Sequence, residues 1–152
     1  MSPPTGQSDD LEWMRRAISL ARRAGAAGDA PVGSVVVRAG ALIAEGIEAV
    51  RAEYDIAAHA EMIAVREACR AVGGFDLADC TLYTTAEPCW MCSFAVRQAR
   101  LGRVVMGRAT AVIGGAGGAH AILLERGVPG WAAPPEVLHG VLADECGCLR
   151  QR

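Results

Sequence analysis

The pattern over residues 81–107 constrains the fold most, because a strand, a helix and a second strand follow one another within it. Residues 81–85 and 103–107 are short apolar runs, and residues 89–100 between them have helical periodicity. Pro88 suits the start of that helix, where a missing backbone N–H removes no hydrogen bond. Two strands joined through a helix lie parallel in one sheet, with the helix packed on its face. The sequence therefore predicts an α/β fold with helices packed on a central sheet.

The residues before this unit alternate between helical and extended patterns. Apolar residues on one face predict a first helix from near Asp9 to near Gly25. Residues 32–38 and 41–50 are β-branched or alternating runs separated by Ala-Gly, which predicts a hairpin. Residues 57–71 are again helical in period. The predicted order is α-β-β-α-β-α-β.

The two ends of the chain are less regular. Residues 1–8 are rich in Pro, Ser, Thr and Gly, which predicts a disordered lead-in before one domain over residues 9–152. The small residues at 114–118 predict a mobile loop near the functional site. Residues 119–125 have a helical pattern, and residues 137–150 predict a strand and a short helix.

Composition excludes several classes of function. The chain of 152 residues contains no lysine, which excludes Schiff-base lysines and lysine-bearing phosphate loops. Its net charge of -2 disfavours a nucleic-acid partner and leaves a local basic patch open. No apolar run reaches membrane-span length and the start is polar, so we expect a cytoplasmic protein with no membrane partner.

Six cysteines occur without an export signal, so we expect reduced thiols or metal ligands rather than disulfides. Cys89 and Cys92, on the first turn of a predicted helix, can direct both sulfurs at one zinc ion, and His59 at another helix start supplies a third ligand. Three protein ligands leave the fourth position for a water whose pKa zinc lowers. Glu61, two residues beyond His59, is placed to carry protons as the catalytic acid and base. A second set, Cys146 and Cys148 with His139, is incomplete, and buried free thiols are expected there.

Alternative interpretations exist for these residues. Each half of the motif alone would also be compatible with His59 packed in the core and two buried thiols, or with a purely structural zinc site. The two halves occur together and at helix starts, as they do in zinc deaminases of nucleobases, which favours the catalytic interpretation. Trp90, between the two cysteines, suits stacking on a flat ring or filling the core.

Read as a whole, the chain resembles the cytidine deaminase-like superfamily, in the branch of guanine, fungal-type cytosine and tRNA adenosine deaminases. The resemblance covers about residues 11–149. It is carried by Ala30-Pro31-Val32-Gly33, His59-Ala60-Glu61, Leu82-Tyr83-Thr84-Thr85-Ala86-Glu87-Pro88-Cys89-Trp90-Met91-Cys92, Arg103-Val104-Val105-Met106-Gly107 and Leu142-Ala143-Asp144-Glu145-Cys146.

The resemblance implies a three-layer αβα sandwich with a central mixed five-stranded sheet, one Zn²⁺ per chain with a bound water or hydroxide, and a homodimer. It also implies that the backbone N–H of Ala60 and the carbonyl of Glu87 help to hold the substrate. At the position where the family usually has an asparagine, eleven residues before the metal histidine, this chain has Glu48. An ionised glutamate only accepts hydrogen bonds, so we hypothesise that the substrate ring presents N–H donors toward Glu48.

Three functions are therefore compared. The leading hypothesis is a zinc-dependent hydrolase of the C–N bonds of cyclic amidines, which removes the amine of a small amino-heterocycle such as guanine, cytosine or an aminotriazine. The second is adenosine-to-inosine deamination in tRNA, and the third is a non-catalytic, zinc-stabilised binding protein. The presence of Glu61 argues against the third, because a binding protein has no need of a proton carrier.

Overall fold

The computed structural model describes residues 7–149, and within them the chain forms five α-helices, five strands and one 3-10 turn. The strands are β1 (Gly33–Arg38), β2 (Ala41–Ile47), β3 (Cys80–Ala86), β4 (Arg103–Arg108) and β5 (Glu136–Leu138). The helices are α1 (Gln7–Ala26), α2 (Val50–Glu53), α3 (Ala60–Val72), α4 (Trp90–Gln98) and α5 (Ala143–Cys148), and the 3-10 turn spans Ile122–Leu124.

The strands form one mixed sheet in the order β2-β1-β3-β4-β5. β1 is antiparallel to β2 and to β3, whereas β3, β4 and β5 are parallel to one another. The hairpin between β1 and β2 turns at Ala39 and Gly40, which both have positive φ, as a tight hairpin turn requires. The predicted hairpin, the parallel β3–β4 pair and the mixed five-stranded sheet are confirmed.

Helices cover both faces of the sheet. On one face α1 contributes Met14 and Ile18, which pack with Val35, Tyr83 and Val105 of the sheet. α3 and α4 cover the other face with a second apolar cluster. That cluster includes Val36, Ala64, Val65, Leu82, Val96, Val104 and Met106. The three-layer αβα architecture is therefore the one predicted, and none of the helices in residues 7–149 combines the length and apolarity needed to cross a membrane.

A buried carboxylate fixes α1 to the sheet. Asp10 is 3% exposed and receives two hydrogen bonds of 2.8 Å from the guanidinium of Arg103 and one of 2.7 Å from the hydroxyl of Tyr83. Bidentate pairs between arginine and carboxylate are among the strongest hydrogen bonds in proteins. The start of α1 is thereby joined to β3 and β4.

Several predicted boundaries were wrong. α1 begins at Gln7 rather than near Asp9, and residues 1–6 of the predicted lead-in lie outside the described residues. The second strand ends at Ile47 and not at residue 50, because the carboxylate of Asp29 accepts the N–H groups of Arg51 and Ala52 and starts α2 there. Residues 119–125 form only the turn Ile122–Leu124 instead of a helix.

Candidate metal centre and active site

Two helix starts bring the predicted metal ligands together. His59 is the N-cap of α3 and Cys89 the N-cap of α4, with Cys92 in the first turn of α4. β3 ends at Ala86, so its carboxyl end leads directly to α4. α3 approaches β2 closely at Gly46, where a Cβ atom would stand against the carbonyl oxygen of Ala60. Glycine at this position is therefore required for the start of α3 to reach the site.

The spacing of the three ligand atoms suits zinc. His59 Nδ1 lies 3.6 Å from Cys89 Sγ and 3.4 Å from Cys92 Sγ. A tetrahedral zinc with ordinary Zn–N and Zn–S bonds separates a nitrogen and a sulfur ligand by about 3.6 Å. The side chains therefore stand at ligand distances from one common point, and these ligand atoms all lie within 4.8 Å of one another.

The two thiols share protons unequally in the metal-free protein. A hydrogen bond from Cys92 lowers the pKa of Cys89 to about 4, and the same interaction raises the pKa of Cys92. The Cys89 thiolate in turn raises the pKa of His59 to about 9 through a hydrogen bond. Zinc binds thiolates and neutral imidazole, so the protons that remain on these ligands leave as the metal binds.

Glu61 lies in the first turn of α3 with its carboxylate inside the site. It is 4% exposed and accepts a hydrogen bond of 3.1 Å from the Thr84 hydroxyl at Oε1, while Oε2 lies 3.8 Å from Cys92 Sγ. Burial raises the pKa of Glu61 to about 7. A carboxyl group with a pKa near neutrality can both take up and release a proton.

The Glu48 side chain also lies at the site, where it is hydrogen-bonded to the protein backbone. Its Oε1 accepts a hydrogen bond of 2.7 Å from the N–H of Ala60. A carboxylate oxygen of Glu48, a ring nitrogen of His59 and a carboxylate oxygen of Glu61 lie within 4.8 Å of one another. Burial raises the pKa of Glu48. Two of the three residues predicted to hold the substrate, Glu48 and Ala60, are thus hydrogen-bonded to each other.

The Glu87 side chain anchors the glycine-rich loop of residues 114–118. Its buried carboxylate accepts the N–H groups of Thr110, Ala116 and Gly117 at 3.2, 2.9 and 2.8 Å. Its carbonyl oxygen, which was predicted to contact the substrate, accepts a hydrogen bond of 2.7 Å from the Thr110 hydroxyl. Gly114 lies so close to the Glu87 carboxylate that a Cβ atom there would clash. The loop predicted to be mobile is therefore anchored beside Cys89.

Sequence reasoning missed Arg97, which organises the chain after the glycine-rich loop. Arg97 is 5% exposed on α4, and its guanidinium lies 4.5 Å from the ring of Trp131. It donates hydrogen bonds to the carbonyl groups of Ile122, Leu123, Glu125 and Ala132. The available signal was an arginine on the otherwise buried side of α4, between Val96 and the start of the next strand.

The second cysteine set has no metal-binding geometry. Within residues 7–149, the groups of side chains spaced to hold a metal ion all lie at the site of His59, and none includes His139. Cys146 is fully buried against the sheet, whereas Cys148 is exposed, so only Cys146 is the buried thiol that was expected.

Comparison with known proteins decides the family. The profile of the family described as the cytidine and deoxycytidylate deaminase zinc-binding region matches residues 7–108. The chain belongs to this family. The matched region is the zinc-binding region of a deaminase family, so zinc is the cofactor, and His59, Cys89 and Cys92 are side chains spaced to hold it.

Individual relatives fall into two groups. The tRNA-specific adenosine deaminase of Bacillus subtilis is 40% identical over 140 residues, covering 92% of this chain and 85% of the relative. The guanine deaminase of Bacillus subtilis is 46% identical over 89 residues, covering 58% of this chain and 57% of the relative. A solved structure from a study of A-to-I editing by tRNA:A34 deaminases is 32% identical, with a TM-score of 0.83, covering 91% of this chain and 98% of that one.

Other relatives are much longer than this chain. It spans 23% of the tRNA(Ile)-lysidine synthase of Deinococcus radiodurans, at 39% identity over 137 residues. It spans 8% of the chloroplastic tRNA(adenine(34)) deaminase of Arabidopsis thaliana, at 43% identity over 108 residues. The chain therefore spans less than a quarter of the length of each of these two relatives.

Proposed function

We propose that this chain hydrolyses the C–N bond of a cyclic amidine, removing the exocyclic amine of a small amino-heterocycle and releasing ammonia. The observation that carries the proposal is the position of Glu48, whose carboxylate lies beside His59 and Glu61. A carboxylate only accepts hydrogen bonds when ionised, so this wall of the site favours a ring edge that presents N–H groups. Guanine-like and aminotriazine-like rings carry such an edge.

The proposed roles of the residues follow from their positions. His59, Cys89 and Cys92 would hold a zinc ion, whose Lewis acidity would activate water as the nucleophile. Glu61 takes a proton through the carboxylate oxygen that faces Cys92 and delivers it to the ring nitrogen next to the attacked carbon. It then transfers the second water proton to the departing amine. The amine leaves as ammonia, and a carbonyl group takes its place on the ring.

The hydrogen bond between Glu48 and Ala60 supports the choice of substrate. A ring carbonyl that sought the Ala60 N–H would compete with an acceptor already in place at 2.7 Å. A ring with N–H donors instead approaches Glu48 without displacing that bond. Donor-rich rings such as guanine therefore suit this site better than cytosine does.

The test is ammonia release from a panel of amino-heterocycles by the zinc-loaded protein. We expect turnover of guanine or of an aminotriazine and its loss in Glu61→Ala, with the zinc content unchanged in the variant. A wild-type protein that releases no ammonia from any ring of the panel would contradict the proposal. Equal behaviour of the wild type and Glu61→Ala would favour the non-catalytic binding protein.

A second candidate, adenosine deamination in tRNA, is favoured by the comparisons. The solved structure from the study of tRNA:A34 deaminases is matched over 98% of its length. Against it stands the acidic balance of 17 Asp and Glu to 15 basic residues, because phosphate backbones are bound mainly by positive charge. Inosine formation in an anticodon stem-loop, without ammonia release from free bases, would establish this alternative. The homodimer and the cytoplasmic location belong to the proposal for either substrate.

A further inference from the structure

Two buried hydroxyl groups lie side by side on the sheet face that packs against α3. Ser34 of β1 and Thr84 of β3 are directly paired across the two strands, and both side chains are 0% exposed. The neighbouring positions on this face, Val36 and Leu82, are apolar and belong to the core. Burying a hydroxyl group among apolar side chains is unfavourable unless it is hydrogen-bonded. The pair therefore needs a polar partner.

The hydrogen bonds of this pair run in one direction and end at Glu61. The Ser34 hydroxyl donates to Thr84 Oγ1 at 2.9 Å, and the Thr84 hydroxyl donates to Glu61 Oε1 at 3.1 Å. A hydroxyl group has one proton to donate. Because Thr84 gives its proton to Glu61, its oxygen is left as the acceptor for Ser34. The order Ser34, Thr84, Glu61 thus satisfies both hydroxyl donors.

This arrangement gives the two oxygens of Glu61 different surroundings. Oε1 is held by Thr84 on the sheet side, and Oε2 lies on the side of the metal ligand Cys92. Turning the plane of the carboxylate about its terminal bond away from this orientation would break the hydrogen bond to Thr84. The hydroxyl pair therefore opposes that rotation and keeps one oxygen directed to the reacting centre.

We propose that Ser34 and Thr84 are positioning residues, whose hydroxyl groups in series hold Glu61 in the orientation for proton transfer. The inference rests on the proposed deaminase function. Thr84 acts directly on the carboxylate, and Ser34 acts through Thr84 by fixing the direction of its hydroxyl proton. Both side chains are fully buried, so their loss should affect the rate of the chemical step more than substrate binding.

The experiment compares Thr84→Val with Thr84→Ser and with a matched control. Valine keeps the shape of threonine and removes the hydroxyl, whereas serine keeps the hydroxyl. The control is Thr85→Val, because Thr85 is equally buried and its hydroxyl accepts the N–H of Gly33 without contacting Glu61. All proteins are loaded with zinc, assayed for kcat and KM on the substrate found in the ammonia screen, and crystallised.

In Thr84→Val we expect kcat to fall about 10- to 100-fold with KM within twofold of the wild type, as for a misplaced catalytic group. Thr84→Ser should recover most of this loss, and Ser34→Ala should lose less than Thr84→Val. Thr85→Val should lose thermal stability but keep kcat within about twofold of the wild type. Equal losses of kcat in Thr84→Val and Thr85→Val would overturn the inference.

The crystal structures separate this inference from the proposed function. If the wild type proves inactive on every ring, the proposed function fails, yet the position of Glu61 can still be compared. A Glu61 carboxylate that rotates in Thr84→Val, with zinc content unchanged, would support the positioning role. A carboxylate that keeps its wild-type orientation in Thr84→Val would overturn it.

Discussion

Glu48 accepts a hydrogen bond of 2.7 Å from the backbone N–H of Ala60, the first residue of α3. The first N–H groups of a helix have no partner within the helix, and a negative charge near them is stabilising. Glu48 therefore stabilises the start of the helix that carries His59 and Glu61. The same side chain lies beside His59 and Glu61, so under the proposed function helix capping and substrate preference would depend on one residue.

Replacing Glu48 by glutamine should change which rings the enzyme prefers. The glutamine carbonyl can still accept the Ala60 N–H, while its amide now offers a donor where the carboxylate offered only acceptors. We expect the ratio of kcat/KM for guanine to that for cytosine to fall about 10-fold, the effect of one hydrogen bond to a charged group. The measurement is competition between the two bases, followed by product analysis.

Glu48→Asn serves as the second variant, because it introduces the residue type usual in the family. It should shift the preference in the same direction as Glu48→Gln. A ratio unchanged from the wild type in both variants would show that Glu48 only caps α3.

Removal of one sulfur ligand should remove the metal. In Cys92→Ser, zinc keeps at most two strong ligands, and we expect the zinc content to fall from about one per chain to near zero, with loss of activity. The control is Cys148→Ser, whose thiol is exposed on α5 and should leave both quantities unchanged. Zinc is measured by elemental analysis after dialysis. Full zinc content in Cys92→Ser would contradict the assignment of this ligand.

The sequence could predict the parts of the molecule that depend on local pattern. The strand, helix and strand of residues 81–107 follow from periodicity, and their parallel pairing follows from the handedness of such units. Cys89 and Cys92 are brought together by the first turn of α4, and their spacing predicts the metal site when it is combined with the His59-Ala60-Glu61 motif. Only the meeting with His59 depends on the tertiary fold.

The parts that could not be predicted depend on hydrogen bonds between distant residues. The 3-10 turn at Ile122–Leu124 replaces the expected helix. The guanidinium of Arg97 donates hydrogen bonds to the carbonyl groups of Ile122, Leu123 and Glu125. In an α-helix over residues 119–125 these three carbonyls would be among the last four, which have no partner within the helix. Nothing in residues 119–125 indicates that Arg97 supplies their partner, because the arginine comes from another helix.

Glu87→Gln should loosen the glycine-rich loop. The carboxylate accepts N–H groups from Thr110, Ala116 and Gly117 through both oxygens, whereas a glutamine amide keeps one acceptor and directs N–H groups at other donors. A buried donor left without its acceptor costs about 1–3 kcal/mol, and we expect the free energy of unfolding to fall by about that amount. Urea denaturation of the zinc-loaded protein is the measurement.

A glutamate outside the site provides the control for Glu87. Glu12 is exposed on α1, and Glu12→Gln should change the free energy of unfolding by less than about 0.5 kcal/mol. Because the Glu87 carboxylate holds Thr110, Ala116 and Gly117, limited proteolysis in the range 110–118 should be faster in Glu87→Gln alone. Equal cleavage rates in the two variants would argue against the anchoring role.

Asp10→Ala should destabilise the protein far more than loss of a surface ion pair. The change deletes two hydrogen bonds from Arg103 and one from Tyr83, and breaking a buried pair costs about 3–5 kcal/mol. Arg103 keeps 19% of its side chain exposed, so we expect a loss near the lower end of that range, about 3 kcal/mol. The matched control is Asp79→Ala, which removes the exposed pair with Arg38 and should cost at most about 1 kcal/mol. Urea denaturation at saturating zinc gives both values, and equal losses in the two variants would mean that α1 is held by its apolar face alone.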